Sequence, residues 1–408
     1  MDTVAGKAPP SLLPRCGACG LLNHCQSPKI PIYGEGLRKI LIIGEAPGKG
    51  EDYQNKPFVG KAGQYLRGVL NKFNVDMKRD CWVTNSLICW PHTPEGKNRT
   101  PTDNEIDYCR PNLIKAITEL QPEIIIPLGS VAVSSLLGWV WRSKDIGTIT
   151  RWDGWRIPCQ KLNAWICPTW HPSYVIREDE SQDEEYKDSA VRQLFLERRI
   201  KAACQLKGRP WKEVPNWDAQ VQVVLDSDVA AEKIRAITTE CLICDLPAAF
   251  DYETDRLKPD SKDSQIVCCS ISNGMTTFAF PWYGKAKLAT QEFIQSDVGK
   301  IASNAKFEER WTRLEFGHGV NNWVFDTMLA AHALDTRAEI TSIKFQAFVL
   351  LGVESWDEHI KPFFSSKGNN ERSKIKTAPI TSLLKYCGKD SLYEFKVARR
   401  QMKQLGML

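Results

Sequence analysis

The stretch GEAPGKGEDYQNKPFVGKAG, residues 44–63, follows a short apolar run, KILIIG (39–44), and holds five glycines. A buried strand that ends in a Gly-rich turn and leads into a helix is the unit from which parallel sheets with helical crossovers are built. The helix comes next: KAGQYLRGVLNKFN (61–74) carries its apolar residues at helical spacing. The same grammar repeats downstream. CWVTNS (81–86) reads as a strand, 103–120 as a helix behind a Thr-Pro start, EIIIPLG (123–129) as a buried strand before a short helix, and AWICPT (164–169) as the last strand. We therefore expect a three-layer α/β first half, a parallel sheet with helices on both faces. Ligands of such sheets lie beyond the carboxyl ends of the strands. That points to the residues after Ile43, Thr84 and Thr169. The glycines do not form a nucleotide-phosphate loop, because no Gly-Lys-Ser/Thr closes the stretch.

The chain has 408 residues, 42% of them apolar and 25% charged, which suits two soluble domains with real cores. A net charge of +5 is mild and permits a nucleic-acid partner without demanding one. Fourteen cysteines stand in a chain whose start, MDTVAGKAPPSLLPRCGACG, lacks the apolar core of a signal peptide. No apolar run is long enough for a membrane span. The expectation is a reducing compartment, the cytoplasm of a bacterial or phage-infected cell, and a monomer.

The stretch KGRPWKEVPNW (207–217), with Gly, two prolines and mixed charge, reads as a linker. We expect domains at 10–205 and 217–408, joined by 206–216. The second half opens with AAFDYET (248–254), SQIVCCSIS (264–272) and TTFAFPW (276–282), three strands of a meander. Helices follow at 305–316, 326–335, 340–351 and 379–403. A mixed sheet followed by helices is an α/β layout of ribonuclease H type.

Cys16 and Cys19 form a CxxC pair, Cys89 and Cys109 bracket a Pro-rich loop, and Cys25 lies near the first pair. Four thiolates from separate segments suit an iron–sulfur cluster or zinc, but spacing alone leaves ordinary free cysteines equally open. Cys241 and Cys244, with Cys268 and Cys269, could form a second four-thiol site. Their apolar, strand-like setting favours buried free thiols instead.

Taken together, GEAPGKGED (44–52), PFVGKAG (57–63), TNSLIC (84–89), NRTPT (98–102) and HPS (171–173) resemble, in order, the motifs of family 4 uracil-DNA glycosylases. The resemblance covers roughly residues 10–205 and implies that Cys16, Cys19, Cys89 and Cys109 ligate a [4Fe–4S] cluster. It implies that Phe58 stacks on a flipped base, that Asn85 reads its Watson–Crick edge and that His171 stabilises the leaving base. Glu45 would orient water or steady a cationic sugar. Gly44, Asn98, Arg99 and Ser173 would complete the substrate site. Some relatives trap DNA covalently through a histidine beside the Thr-Pro. The corresponding position here is Asn98, which favours turnover, although His92 in the same, longer loop keeps trapping open.

In the second half, FDYET (250–254), NAKFEERW (304–311), FDTMLAAHALD (325–335) and YCGKD (386–390) resemble the 3′–5′ exonuclease domain of family A DNA polymerases, over about 217–405. Asp251 and Glu253 are two apart on a strand, and Tyr386 and Asp390 four apart on a helix, so each pair shares a face. The resemblance implies two Mg²⁺ or Mn²⁺ ions. Asp251 would bridge them, Glu253 and Asp390 would complete one site, Asp326 would serve the other, and Tyr386 would orient the attacking water. Eighteen residues follow Asp390, too few for the polymerase domain that usually continues this family.

The expectation is a bifunctional DNA-processing enzyme that acts on uracil-containing DNA and on 3′ ends, with a DNA polymerase as a further partner. Two rival readings stay open. The first domain could act on another modified pyrimidine, or it could read the base without cutting and target the exonuclease.

Overall fold

The structure is a computed structural model and describes residues 13–142, 146–177, 186–261, 263–364 and 371–408. The chain divides after Lys212 into two compact units. Among the described residues, no helix is long and apolar enough to cross a membrane.

The first unit is built on a five-stranded sheet in the order β2-β1-β3-β5-β4. The strands are β1 (Ile40–Gly44), β2 (Cys81–Asn85), β3 (Ile124–Pro127), β4 (Ile157–Cys159) and β5 (Ala164–Ile166). β1 runs parallel to both β2 and β3, and β3 runs parallel to β5. Ile40, Leu41, Ile42 and Ile43 are all fully buried, because helices cover both faces of a parallel sheet. β4 departs from the all-parallel expectation, since it pairs antiparallel with β5 at the sheet edge. Pro158 in its middle has no N–H to give a second neighbour, which suits an edge.

From β1 the chain first builds β2 on one side and then β3 on the other. The carboxyl end of β1 is therefore a topological switch point, where open α/β sheets bind ligands. Gly44 stands there opposite Asn85. The backbone N–H of Leu128 donates to Ile43 O at 2.8 Å, and Leu128 forms a parallel bridge with Thr169. Three chain segments thus end at one place.

The second unit has a six-stranded sheet in the order β11-β10-β7-β8-β9-β6. These are β6 (Val221–Val223), β7 (Ala248–Thr254), β8 (Ile266–Ser272), β9 (Thr277–Pro281), β10 (Lys300–Ala302) and β11 (Trp323–Asp326). β7, β8 and β9 form the expected antiparallel meander, while β10 and β11 add in parallel on the other side of β7. A central β7 with a meander on one flank and two parallel strands on the other is the ribonuclease H arrangement. The helix Ile380–Gln404 packs on this sheet and buries Leu383, Leu384, Tyr386, Cys387 and Val397.

Cys241 and Cys244 lie at the end of the helix Ser227–Cys244, not on a strand. Cys268 and Cys269 are adjacent on β8, so they face opposite sides and join different core clusters. The second four-thiol site is therefore not assembled.

Candidate functional site

Phe58 has a left-handed backbone, φ 58°, which is uncommon for a residue with a Cβ and costs on the order of 1 kcal/mol. Its neighbours hold it there. The Arg67 guanidinium donates to Phe58 O at 3.1 Å. Glu51 accepts from the Gly48 N–H at 2.7 Å and from the backbone N–H groups of Phe58 and Val59. One carboxylate thus ties both Gly-rich turns together, and sequence reading missed it. A Cβ on Gly63 would lie 1.9 Å from Phe58 O, so only glycine lets the next helix start this close.

The reward for this geometry is the position of the Phe58 ring. A Cβ on Gly44 would stand 2.7 Å from the ring's Cζ and 2.2 Å from Asn85 Oδ1. Gly44 therefore forms the floor between a flat apolar face and a carboxamide. Asn85 is 5% exposed, held on the last residue of β2. The His171 ring lies 6.3 Å from the Phe58 ring, centroid to centroid. Its Nδ1 accepts from the Ser173 backbone N–H at 3.2 Å and lies 2.7 Å from Ser173 Oγ. An N–H can only donate, so Nδ1 is the acceptor and the neutral ring carries its proton on Nε2. Thr169, just upstream, is pinned by its hydroxyl to Asp153 at 2.9 Å. Glu45 follows Gly44 directly and is half-buried, and its carbonyl accepts from Leu87 N at 3.1 Å. Gly44, Glu45, Phe58, Asn85, His171 and Ser173 are thus brought to one end of the sheet.

Asn98 and Arg99 sit differently from the rest. The Asn98 Oδ1 accepts from Trp90 Nε1 at 2.7 Å and from Lys49 N at 3.2 Å, linking its loop to the glycine turn. Arg99 pairs with both oxygens of Glu105, at 2.8 and 2.5 Å. Glu105 also closes a capping box with Thr102 at the start of the helix Asp103–Leu120. Arg99 in this structure fixes the loop rather than presenting its guanidinium to a ligand. Both His92 ring nitrogens face carbonyl oxygens, Thr93 O at 2.7 Å and His24 O at 2.9 Å. Those two acceptors raise its pKa and engage both ring nitrogens.

Cys16, Cys19, Cys89 and Cys109 line one apolar pocket. Leu21, Leu87, Ile106 and Val131 form the cluster that Cys19, Cys89 and Cys109 pack against. The N–H of Lys29 points at Cys89 Sγ from 3.3 Å and the Asn112 amide at Cys109 Sγ from 3.5 Å. Burial, with Cys25 and Cys109 nearby, pushes the Cys89 thiol up to about 12. Burial likewise raises Cys19 and Cys109. Thiols gathered this way share one space and have N–H donors aimed at sulfur, which fits a multiply charged cluster. Asp52 anchors the segment behind the CxxC by accepting from Gln26 N and Ser27 N, both at 2.8 Å.

In the second unit, Asp251 and Glu253 project from one face of β7, while Phe250 and Tyr252 enter the core on the other. The donor atoms of Asp251, Glu253 and Cys387 lie within 4.8 Å of one another. Asp390 and Tyr386 meet this group from the helix Ile380–Gln404. Asp390 Oδ1 accepts from Lys344 Nζ at 2.7 Å and from Trp356 Nε1 at 3.0 Å. Burial first, and then like charge nearby, raises Asp251, Glu253, Glu308 and Glu394 well above the usual carboxylate range. Asp390 is the like charge that raises Asp251, and Asp251 is the one that raises the other three.

Asp326 sits differently from the other acids expected to hold metal. Its carboxylate accepts from Met328 N and Leu329 N, capping the helix Thr327–Leu334, and from Asn304 N and Ala305 N at 3.1 and 2.9 Å. Four backbone donors occupy it. Glu308 is a further acid beside Asp251: it is 2% exposed, its Oε2 has no hydrogen-bond partner, and Asp251 is the charge acting on it most. It lies within NAKFEERW, so the motif was seen and its acid overlooked. Glu394, also 2% exposed with Oε2 unpartnered, was missed as well. Its spacing, four residues past Asp390 on the same helix, was the available signal.

Each unit resembles a known family. A family model of the uracil DNA glycosylase superfamily matches residues 31–195, and one of the 3′–5′ exonuclease family matches residues 222–405. The chain is similar to the type-4 uracil-DNA glycosylase of Pyrobaculum aerophilum, 32% identical over 180 residues, covering 44% of this chain and 89% of that protein. It is similar to the type-4 enzyme of Saccharolobus solfataricus, 34% identical over 164 residues, covering 40% of this chain and 73% of that one. The DNA polymerase of Bacillus phage SP01 matches across both units, 26% identical over 344 residues, covering 76% of this chain and 34% of the polymerase. Its second unit matches the 3′–5′ exonuclease family, and through its first unit the chain belongs to the type-4 uracil-DNA glycosylases of the uracil DNA glycosylase superfamily.

Proposed function

We propose that the chain excises uracil from DNA by N-glycosidic hydrolysis in its first unit and degrades DNA from the 3′ end in its second. The observation that carries the first activity is the placement of Phe58, Asn85 and His171 around Gly44. A flipped pyrimidine slides over Gly44 with one face on Phe58 and its Watson–Crick edge toward the Asn85 amide. Negative charge builds on the base as the glycosidic bond breaks, and the His171 Nε2–H stabilises it by donating to a base oxygen. Glu45, on the strand end below, steadies the positive sugar or the water that adds to it. Asn98 and Arg99 hold the adjoining loop against the glycine turn.

Cys16, Cys19, Cys89 and Cys109 would hold a [4Fe–4S] cluster, whose contribution is to cross-link the N-terminal segment to the loop and the helix behind the pocket.

In the second unit, Asp251, Glu253, Glu308 and Asp390 would hold two Mg²⁺ or Mn²⁺ ions, hard cations that suit carboxylate oxygens. Such ions lower the pKa of bound water and stabilise both the attacking and leaving oxygens of a phosphodiester. Tyr386 faces the same acids and positions the water. A DNA polymerase is the partner that such proofreading chemistry suits, and the bacterial or phage-infected cytoplasm is the setting.

Chelation separates the activities. In EDTA, uracil-containing duplex should still gain alkali-labile sites while 3′ shortening stops. Loss of both together would sink this division of labour.

A further inference from the structure

The exonuclease centre contains a cation of its own. Lys344, on the helix Ile343–Leu351, donates to Asp390 Oδ1 at 2.7 Å and to the Tyr386 hydroxyl at 2.8 Å. Its ammonium also lies 4.8 Å from the centroid of the Tyr386 ring and 5.2 Å from that of Trp356. The lysine side chain is 16% exposed and that of Asp390 is 4% exposed. This is no surface ion pair.

Two consequences follow for the groups it touches. With Lys344 and Trp356 both donating to Asp390 Oδ1, the protein has fixed the orientation of that carboxylate. The Tyr386 oxygen accepts from Lys344, and its own hydroxyl donates to Asp390, so lysine, tyrosine and carboxylate hold one another in place. The charge balance points in the same direction. Asp251, Glu253, Glu308, Asp390 and Glu394 crowd one buried place, and Glu308 and Glu394 each keep an unpartnered oxygen there. Two divalent ions leave one of these negative charges uncompensated, and an unmatched charge in a buried site is costly. Lys344 supplies the missing positive charge.

We propose that Lys344 is a positioning residue of the exonuclease centre: a resident cation that sets Tyr386 and Asp390 for the metals and the attacking water. The proposal rests on the exonuclease reading of the second unit. A purely structural lysine would leave metal affinity unchanged. A resident cation repels the ions it helps to place, so its removal should tighten metal binding while slowing the reaction.

The test compares the full chain with Lys344→Met, using Mn²⁺ titration by electron paramagnetic resonance and steady-state degradation of a 5′-labelled single strand. We expect Lys344→Met to bind Mn²⁺ roughly tenfold more tightly. We expect its kcat to fall roughly 100-fold with KM little changed, the scale of a misplaced reacting group. Unaltered Mn²⁺ affinity together with unaltered kcat overturns the proposal. Should Lys344→Met fail to fold, Lys344→Arg decides in the wild-type and Tyr386→Phe backgrounds. A loss that vanishes once Tyr386→Phe is present supports the lysine's route through that hydroxyl, and fully additive losses contradict it. A wild-type chain inert on DNA would sink the exonuclease reading alone, and the Mn²⁺ titration would still decide for or against the lysine.

Discussion

Gly44 and Asn85 are register partners on β1 and β2, and a methyl group on the first would stand 2.2 Å from the Oδ1 of the second. The same methyl would press on the Phe58 ring. Gly44→Ala therefore forces aside the two side chains proposed to hold the base. Uracil excision should fall by roughly 100-fold or more, with 3′ degradation by the same preparation unchanged. An alanine variant with full excision would show that the base does not lie over Gly44.

Glu308 and Asp326 separate by what they do. Glu308→Gln should slow DNA degradation by more than the roughly 100-fold that losing even an outer partner of a metal ligand costs. Its melting temperature in EDTA should hold or rise, because a buried acid with an unpartnered oxygen is gone. Asp326→Ala removes a helix cap and should destabilise the unit by about 1–2 kcal/mol, while the folded fraction keeps most of its rate. Kinetics and thermal melts on the two variants check both statements, and an exchange of their phenotypes would restore Asp326 as the metal ligand.

The crowded carboxylates also set a pH dependence. Asp251, Glu253, Glu308 and Glu394 hold their protons more tightly folded than unfolded, first because they are buried and then because of their neighbours' charge. For an acid whose folded pKa is raised, the stabilisation is complete below the ordinary carboxylate values, 3.8 for Asp and 4.5 for Glu, and is lost as pH climbs toward the folded ones. In EDTA the second unit's melting temperature should therefore fall as pH rises above that range. Mn²⁺ should restore it at neutral pH. Scanning calorimetry across pH, with and without Mn²⁺, measures this, and a flat profile in EDTA would contradict it.

The cysteine cavity makes a separate statement about the first unit. Cys89→Ala or Cys109→Ala should abolish bound iron and visible absorbance and lower the melting transition of the first unit. Metal-dependent DNA degradation should persist. Iron analysis alongside a melt followed through both transitions tests it, and a variant that keeps full iron content would remove that cysteine from the ligand set.

Much of this was legible in the sequence because the signals were long or redundant. KILIIG and EIIIPLG are apolar throughout since both faces of the sheet are covered, and the meander from β7 to β9 shows in three β-rich runs. β10, β11, β4 and β6, only three or four residues each, were not picked out. Pocket residues that follow strand ends were readable from position alone, as with Glu45 and Asn85. Residues that act by supporting others were not. Glu51 looks like an ordinary acid in a charged turn until three backbone N–H groups are seen to meet it. Glu308 and Asp326 show the same limit from the other side. Both are acids near a motif, and only the four backbone donors on Asp326 tell a helix cap from a metal ligand.

The central claim is that the pocket over Gly44 cuts the base it holds. Single-turnover incubation of the full chain with a uracil-containing duplex in EDTA tests this most directly, with free uracil and abasic sites quantified together. We expect both to accumulate in equal amounts, and to be lost in the Gly44→Ala protein. Tight binding of the uracil duplex with no released base would contradict the claim and leave the first unit a reader of uracil.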